Sequence, residues 1–421
     1  MQSDRRCAEG DGTPAAYAGV RVLDFTQYQQ GPIATQVLAD FGAEVIKIER
    51  PGTGDGFRGS NLTGTMNVVA GGYGPAFLAC NRNKKSLALN LKHPRARGLV
   101  YALAEKSDVV VSNFRPGVME KLGLGYEDLN RINPGIICSY ATGYGRTGPD
   151  RETLGQDMMG QCRAGLVRGD PPHTCGFNVC DQIGGLLLAQ GIMAALAARE
   201  RTGRGQTVDT NLFNAGLVAD TLGATAFLNA DRVRPRNGGT GTLAGAPDRA
   251  TRNPMYALYR AKDGRWVHII DAFRDRPLER QCQALGIPES VARDPRFADV
   301  HNLTPEAYEE LKGHLAAGVA RFTAEEVVAR FKAQDMMAVP VSGYRETFDD
   351  PQVRENDMML EAQHPVAGRM RLLGFPVKLS DTPAALRRAP PLLGEHNEEV
   401  LGGLLGMSAA EIEALKKDGV M

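Results

Sequence analysis

The chain has 421 residues, 43% hydrophobic and 23% charged, with 49 basic side chains against 49 acidic ones. A formal charge of zero offers no field of one sign to hold nucleic acid. The length exceeds a single core, so roughly two or three domains and an enzyme acting on small molecules are expected. Seven scattered cysteines with no CxxC pair exclude a disulfide frame or zinc knuckle and are expected to be reduced thiols in a cytoplasmic protein.

Residues 1–18 have no apolar run of the secretory kind and read as a loose tail, with the fold starting near Gly19. Residues 20–25 (VRVLDF) read as a buried strand, 33–41 (IATQVLADF) as a helix ended by Gly42, and 43–48 (AEVIKI) as a second strand. That succession is a βαβ unit, which implies a parallel sheet with a right-handed crossover. The first turn carries no GxGxxG, so dinucleotide binding of the Rossmann kind is not supported, although the architecture is Rossmann-like.

Residues 55–74 read as a long loop, 86–91 as a strand, 94–106 as a helix and 109–112 as a strand. A turn at 113–117, helices through 119–122 and from Tyr126, and a strand at 136–140 continue the alternation. The fold class is therefore α/β, with a doubly wound domain over the first part of the chain. A glycine-punctuated loop follows at 140–165, on the carboxyl edge of the sheet where such folds bind ligands. Its Asp157 is a candidate carboxylate, or an ordinary loop acid or helix cap.

Residues 183–198 are apolar on almost every face, as in a helix buried all round. The run is too short, and too interrupted by Gln190 and Gly191, to span a bilayer. Asp181 stands where this helix should begin, either as its N-cap or as a carboxylate held ionised at the positive end. Gly184 and Gly185 beside it would let a ligand or a second backbone come close. A strand at 207–212 and a helix at 213–228 lead into a smaller α+β domain at 225–330. That domain has a hairpin on Asp263-Gly264 and helices at 277–285, 305–319 and 325–334. Residues 331–421 read as a return linker with a final helix at 409–417 packing on the large domain, which spans 19–224.

Five segments together resemble the class III CoA-transferases: GVRVLDFTQYQQGPIATQVLADFGAEVIKIERPGTGD, NRNKKSLALNL, SNFRPGVMEKLGL, TGRGQTVD and LLGEHNEEVL. That family includes formyl-CoA:oxalate and carnitine CoA-transferases, and α-methylacyl-CoA racemases share its fold. The resemblance implies that Asp181 is the nucleophile, at the head of the apolar helix that runs into TGRGQ. Gln29 matches a glutamine at the acyl end of the site, and Asp157 matches an acid kept in the 140–165 loop. Arg50, Asn83, Lys84, Asn113, Phe114 and Lys121 match the CoA-contacting positions, with Lys121 standing where formyl-CoA transferase has an arginine. Gly238 and Gly239, in Asn237-Gly238-Gly239-Thr240-Gly241, stand in for the longer glycine run that forms a flap over the site.

What the resemblance implies chemically is transfer of CoA between carboxylic acids through an aspartyl–acyl anhydride and an aspartyl-CoA thioester, with no metal. It also implies a homodimer of interlocked rings. The alternatives are an acyl-CoA racemase or a non-catalytic CoA-binding member. Racemases carry a histidine beside the loop aspartate, whereas this chain has Gln156-Asp157, and an amide cannot shuttle a proton at neutral pH.

Overall fold

Short runs rich in Val and Ile form the six strands β1 (Arg21–Asp24), β2 (Glu44–Glu49), β3 (Lys84–Ala88), β4 (Val109–Ser112), β5 (Ile137–Thr142) and β6 (Thr207–Asn211). The structure is a computed structural model that describes residues 15–59, 73–169, 171–229, 253–270, 275–300 and 303–421. The strands pair in the order β3-β2-β1-β4-β5-β6, all parallel. Successive side chains point to opposite faces. Leu23, Ile46, Val110 and Cys138 therefore enter one core, and Val22, Val45, Val109 and Ile137 the other. Because both faces are covered, the central strands are apolar throughout rather than alternating.

The helices between and after these strands are α1 (Gln30–Asp40), α2 (Pro75–Cys80), α3 (Pro94–Ala104), α4 (Val118–Lys121), α5 (Tyr126–Ile132), α6 (Asp157–Arg163), α7 (Val179–Thr202) and α8 (Leu212–Ala219), with Asn397–Leu405 and Ala409–Lys417 returning to the same sheet near the end of the chain. The central helix, α7, packs against α1, α8, β5 and β6. Its glycines fix how closely it meets α1. A Cβ on Gly185 would lie 2.6 Å from the Gln30 carbonyl oxygen, and one on Gly184 would lie 2.5 Å from Gln30 Nε2. The second backbone expected beside these glycines is thus the start of α1.

The two compact units divide the chain unevenly. The first takes residues up to Val167, then His173–Thr221 and Gln352–Met421; the second takes Arg168–Pro172 and Leu222–Pro351. In the first, the last seventy residues close the β3 edge, where unpaired N–H groups invite wrong partners. The Ser86 N–H donates to His396 Nδ1 (3.2 Å), the Ala88 N–H donates to Asn397 Oδ1 (2.8 Å), and the His396 N–H donates to the Ser86 carbonyl (3.0 Å). The second unit holds the antiparallel pair Ala257–Arg260 and Trp266–Ile270 with helices Pro277–Leu285, Pro305–Val319 and Ala324–Ala333.

Several expectations are corrected here. The second unit does not end at 330: a third strand, Met337–Pro340, pairs with Trp266–Ile270. Its alternation is too short to stand out of the proline-rich run around it. The stretch 140–165 is not all loop, since α6 starts at Asp157. The helix expected over 213–228 is two, Leu212–Ala219 and Thr221–Leu228, broken at Asp220. The apolar helix is 24 residues, long and apolar enough to cross a membrane by length and composition. Neither the shortness nor the all-round burial expected from the sequence holds: 50% of its apolar window is buried, and Leu186 is 54% exposed. Its N-cap is Asn178, so Asp181 is not a cap but the third helical residue.

Candidate active site

The strand order reverses between β1 and β4, so the loops leaving their carboxyl ends diverge and open a crevice. Asn113, just after β4, ties the two loops together. It accepts from the Gln27 N–H (2.8 Å) and donates from Nδ2 to the Gln27 carbonyl (2.6 Å). The next residue, Tyr28, has φ +65°, a conformation costly for a side chain of this size. Its N–H donates to Asp55 Oδ1 (3.0 Å), and Asp55 is itself paired with the fully buried Lys47 (2.8 Å). That bond holds the turn that delivers Gln29 and Gln30 to the head of α1.

Two carboxylates meet there. The Asp181 N–H donates to Asp157 Oδ1 (2.8 Å), and Asp157 is buried at 6% exposure. Asp157 Oδ2 accepts from Gln161 Nε2 at 2.5 Å. Asp181 is half-buried, with its side chain toward the Gln30 backbone N–H at the positive end of α1. Burial, and secondarily the Asp157 charge, push the Asp181 carboxyl up to about 7, while the Gln30 N–H pulls the other way. The Asn178 side chain donates from Nδ2 to Gln29 Oε1 (2.7 Å), which turns the Gln29 amide nitrogen away from the bond. The arrangement therefore offers a carboxylate nucleophile, with a helix N-terminus beside it to stabilise negative charge.

Of the residues expected at the site, Asp181, Asp157 and Gln29 are brought together by these bonds. Arg50 is exposed at the end of β2, Lys121 is exposed at the end of α4, and Phe114 packs partly buried on the core beside Asn113. Arg146 stacks over the Tyr140 ring at 3.8 Å, lining with Phe114 and Gly117 a small hollow of about 10 Å³ next to this turn. Gly238 and Gly239 lie outside the described residues.

The side chains of Asn83 and Lys84, expected in a basic segment near the nucleotide, are turned inward, for a clear physical cause. Lys84 is 0% exposed, paired with Asp24 (3.1 Å) and donating to the Pro32 carbonyl (3.0 Å) and Asn81 Oδ1 (2.9 Å). Asn83 is spent on Asp40, the Ala385 carbonyl and the N–H groups of Arg387 and Arg388. The basic look of NRNKK hides an inward network that holds β3 to β1 and to the returning chain. Asn178 and Gln161 were not singled out in the sequence. Asn178, a capping residue type three positions before Asp181, could have been; nothing marks Gln161.

A cavity of about 520 Å³ elsewhere in this unit, between α2 and residues 367–373, is lined by none of the expected site residues. Among the described residues no cluster of three or more His, Cys, Asp or Glu could hold a metal.

Comparison with known proteins covers nearly the whole chain. The profile of CoA-transferase family III matches residues 17–397. An acyl-CoA transferase of Fusarium pseudograminearum is 36% identical over 96% of this chain and 88% of its own length. The succinyl-CoA:glutarate CoA-transferase of Mus musculus is 35% identical over 96% and 89%. The crystal structure of an aspartate-to-alanine mutant of a Mycobacterium tuberculosis protein aligns with TM-score 0.77 and 31% identity, covering 92% of this chain and 99% of that one.

Proposed function

The chain belongs to CoA-transferase family III, an enzyme family acting on CoA thioesters, and on that ground we propose that it moves CoA between carboxylic acids through Asp181. The observation that carries this reading is the placement of Asp181, its N–H fixed by Asp157 and its carboxyl facing the first N–H of α1. An ionised carboxylate attacks the donor thioester carbonyl without a general base, the C–S bond breaks, and CoA leaves as thiolate. The thiolate then attacks the Asp181 carbonyl of the anhydride, releasing the donor acid and leaving an aspartyl-CoA thioester. The acceptor carboxylate attacks that same carbonyl and displaces the thiolate, which attacks the acceptor's own carbonyl in the second anhydride. The new acyl-CoA departs, Asp181 is a carboxylate again, and no proton is gained or lost.

The two attacks on the Asp181 carbonyl develop an oxyanion next to the Gln30 N–H, which already bonds the Asp181 carboxyl. Gln29, held by Asn178, orients the incoming carboxylate; Arg50, Asn113, Phe114 and Lys121 line the approach for the CoA moiety. The resemblance to a succinyl-CoA:glutarate CoA-transferase supports succinyl-CoA as donor and a dicarboxylate as acceptor. Family resemblance likewise supports an interlocked homodimer, which a stable, active monomer in dilute sedimentation would rule out.

A racemase needs two opposed proton-transfer groups. Here Gln156 cannot serve, and both Asp157 oxygens are engaged within the protein. The test is to incubate the enzyme in deuterium oxide with succinyl-CoA, with and without glutarate. Glutaryl-CoA formed only when glutarate is present supports the transferase. Deuterium entering the α-carbon of a panel of branched acyl-CoA thioesters, with no acceptor needed, would overturn it.

A further inference from the structure

We infer that Gln161 is a positioning residue of the transferase site, a single buried amide that sets Asp181 and Gln29 together. The inference rests on the function proposed above. Gln161 is 1% exposed, and its side chain makes three bonds. Nε2 donates to Asp157 Oδ2 (2.5 Å) and to the Phe177 carbonyl (3.0 Å), which uses both of its hydrogens, and Oε1 accepts from the Cys175 N–H (3.2 Å).

Each bond ends one step from a reacting group. Through Asp157 the amide holds the carboxylate that receives the Asp181 N–H. Through Phe177 and Cys175 it pins the loop that delivers Asn178, which stands at the N-cap position of α7 and donates to Gln29. The nucleophile and the residue expected to orient its substrate are thus referenced to one side chain. Neither Gln29 nor Asp181 touches Gln161 through a bond of its own, so its effect is transmitted.

The packing of α6 on α7 does not depend on this amide. A Cβ on Gly160 would lie 3.1 Å from Cys180 Sγ, and Cys180, Val179 and Leu212 form their own apolar cluster. The helices stay in contact when the amide is lost, while the aim of the groups at their ends does not. A displacement near 1 Å at a reacting centre lowers turnover by about 100-fold.

The experiment compares wild type, Gln161→Met and Asp181→Asn in single-turnover and steady-state transfer from succinyl-CoA to glutarate. Methionine keeps the volume of the side chain and removes all three bonds. We expect Gln161→Met to lower kcat by about 100-fold, with KM for succinyl-CoA within about threefold of wild type and a full amplitude of active sites. A merely structural role would instead lower the amplitude and leave the rate constant per active site unchanged, which overturns the inference. So does a kcat within about threefold of wild type. If Gln161→Met does not fold, Gln161→Asn takes its place under the same criteria, since it keeps an amide in the cavity but withdraws it by one methylene. Asp181→Asn separates the two readings. Wild-type turnover there defeats the proposed function itself, whereas an inactive Asp181→Asn beside a fully active Gln161→Met defeats only the positioning role.

Discussion

Replacing Asp181 by asparagine should make the first unit more stable, and more so at alkaline pH. Burial and the neighbouring Asp157 raise the folded-state pKa of Asp181 from 3.8 to about 7. For an acid with a raised pKa, ionisation favours the unfolded chain. The penalty is absent below the unfolded value, grows as pH climbs from 3.8 toward 7, and is complete above that. A shift of about three units at ~1.4 kcal/mol each gives an upper limit of ~4 kcal/mol at pH 8. Asp181 keeps some access to water, so the discounted figure is about 2 kcal/mol. An asparagine keeps an acceptor for the Gln30 N–H and carries no charge. Hydrogen exchange of peptides from α7, compared between wild type and Asp181→Asn at the same pH, reads this locally. Protection in the variant should exceed wild type at pH 8, and the excess should shrink by pH 5. Equal protection at both values, or a variant less protected at pH 8, would refute the assignment of Asp181 as a half-buried carboxylate whose ionisation costs stability.

Three further outcomes follow from the same geometry. The rate of transfer should rise with pH through a limb near 7, where Asp181 ionises, and Asp157→Asn should move that limb to lower pH by removing a like charge; a pH–rate profile of both proteins decides it. Lys84→Met should cost about 3–5 kcal/mol in urea unfolding, because it leaves the buried Asp24 carboxylate without its paired cation, with only Lys47 near it. Its folded fraction should nonetheless keep the wild-type KM for the CoA thioester. Arg50→Ala and Lys121→Ala should each raise that KM about tenfold, the scale of one lost charge-assisted bond, with kcat little changed.

Much of this fold is written in the period of its apolar residues. β4 at Val109–Ser112 and the helices Pro277–Leu285, Pro305–Val319 and Ala409–Lys417 fall on the residues that periodicity and capping predict. β3 begins two residues earlier than expected, at Lys84, because charge reads as surface until a buried partner such as Asp24 is known. The candidate nucleophile was legible at the head of the apolar helix, but its surroundings were not. Asp157 and Asp181 are 24 residues apart in sequence, and the bond between them depends on how α6 meets α7. Asn178 reaches across 149 residues to Gln29, a pairing that only the α1–α7 crossing creates. In NRNKK the opposite holds: a basic run that reads as surface places the Asn83 and Lys84 side chains inside, tying the sheet to Asp40 and Asp24.

The central claim is that Asp181 becomes covalently acylated during turnover. The direct measurement is intact-protein and peptide mass spectrometry after mixing the enzyme with succinyl-CoA and quenching with hydroxylamine, wild type beside Asp181→Ala. An activated aspartyl carbonyl is converted to a hydroxamate. The account predicts one hydroxamate, on the peptide carrying Asp181, dependent on succinyl-CoA and absent from the variant. Glutaryl-CoA production in the wild type with no hydroxamate at Asp181, or one mapped to Asp157 instead, would contradict it.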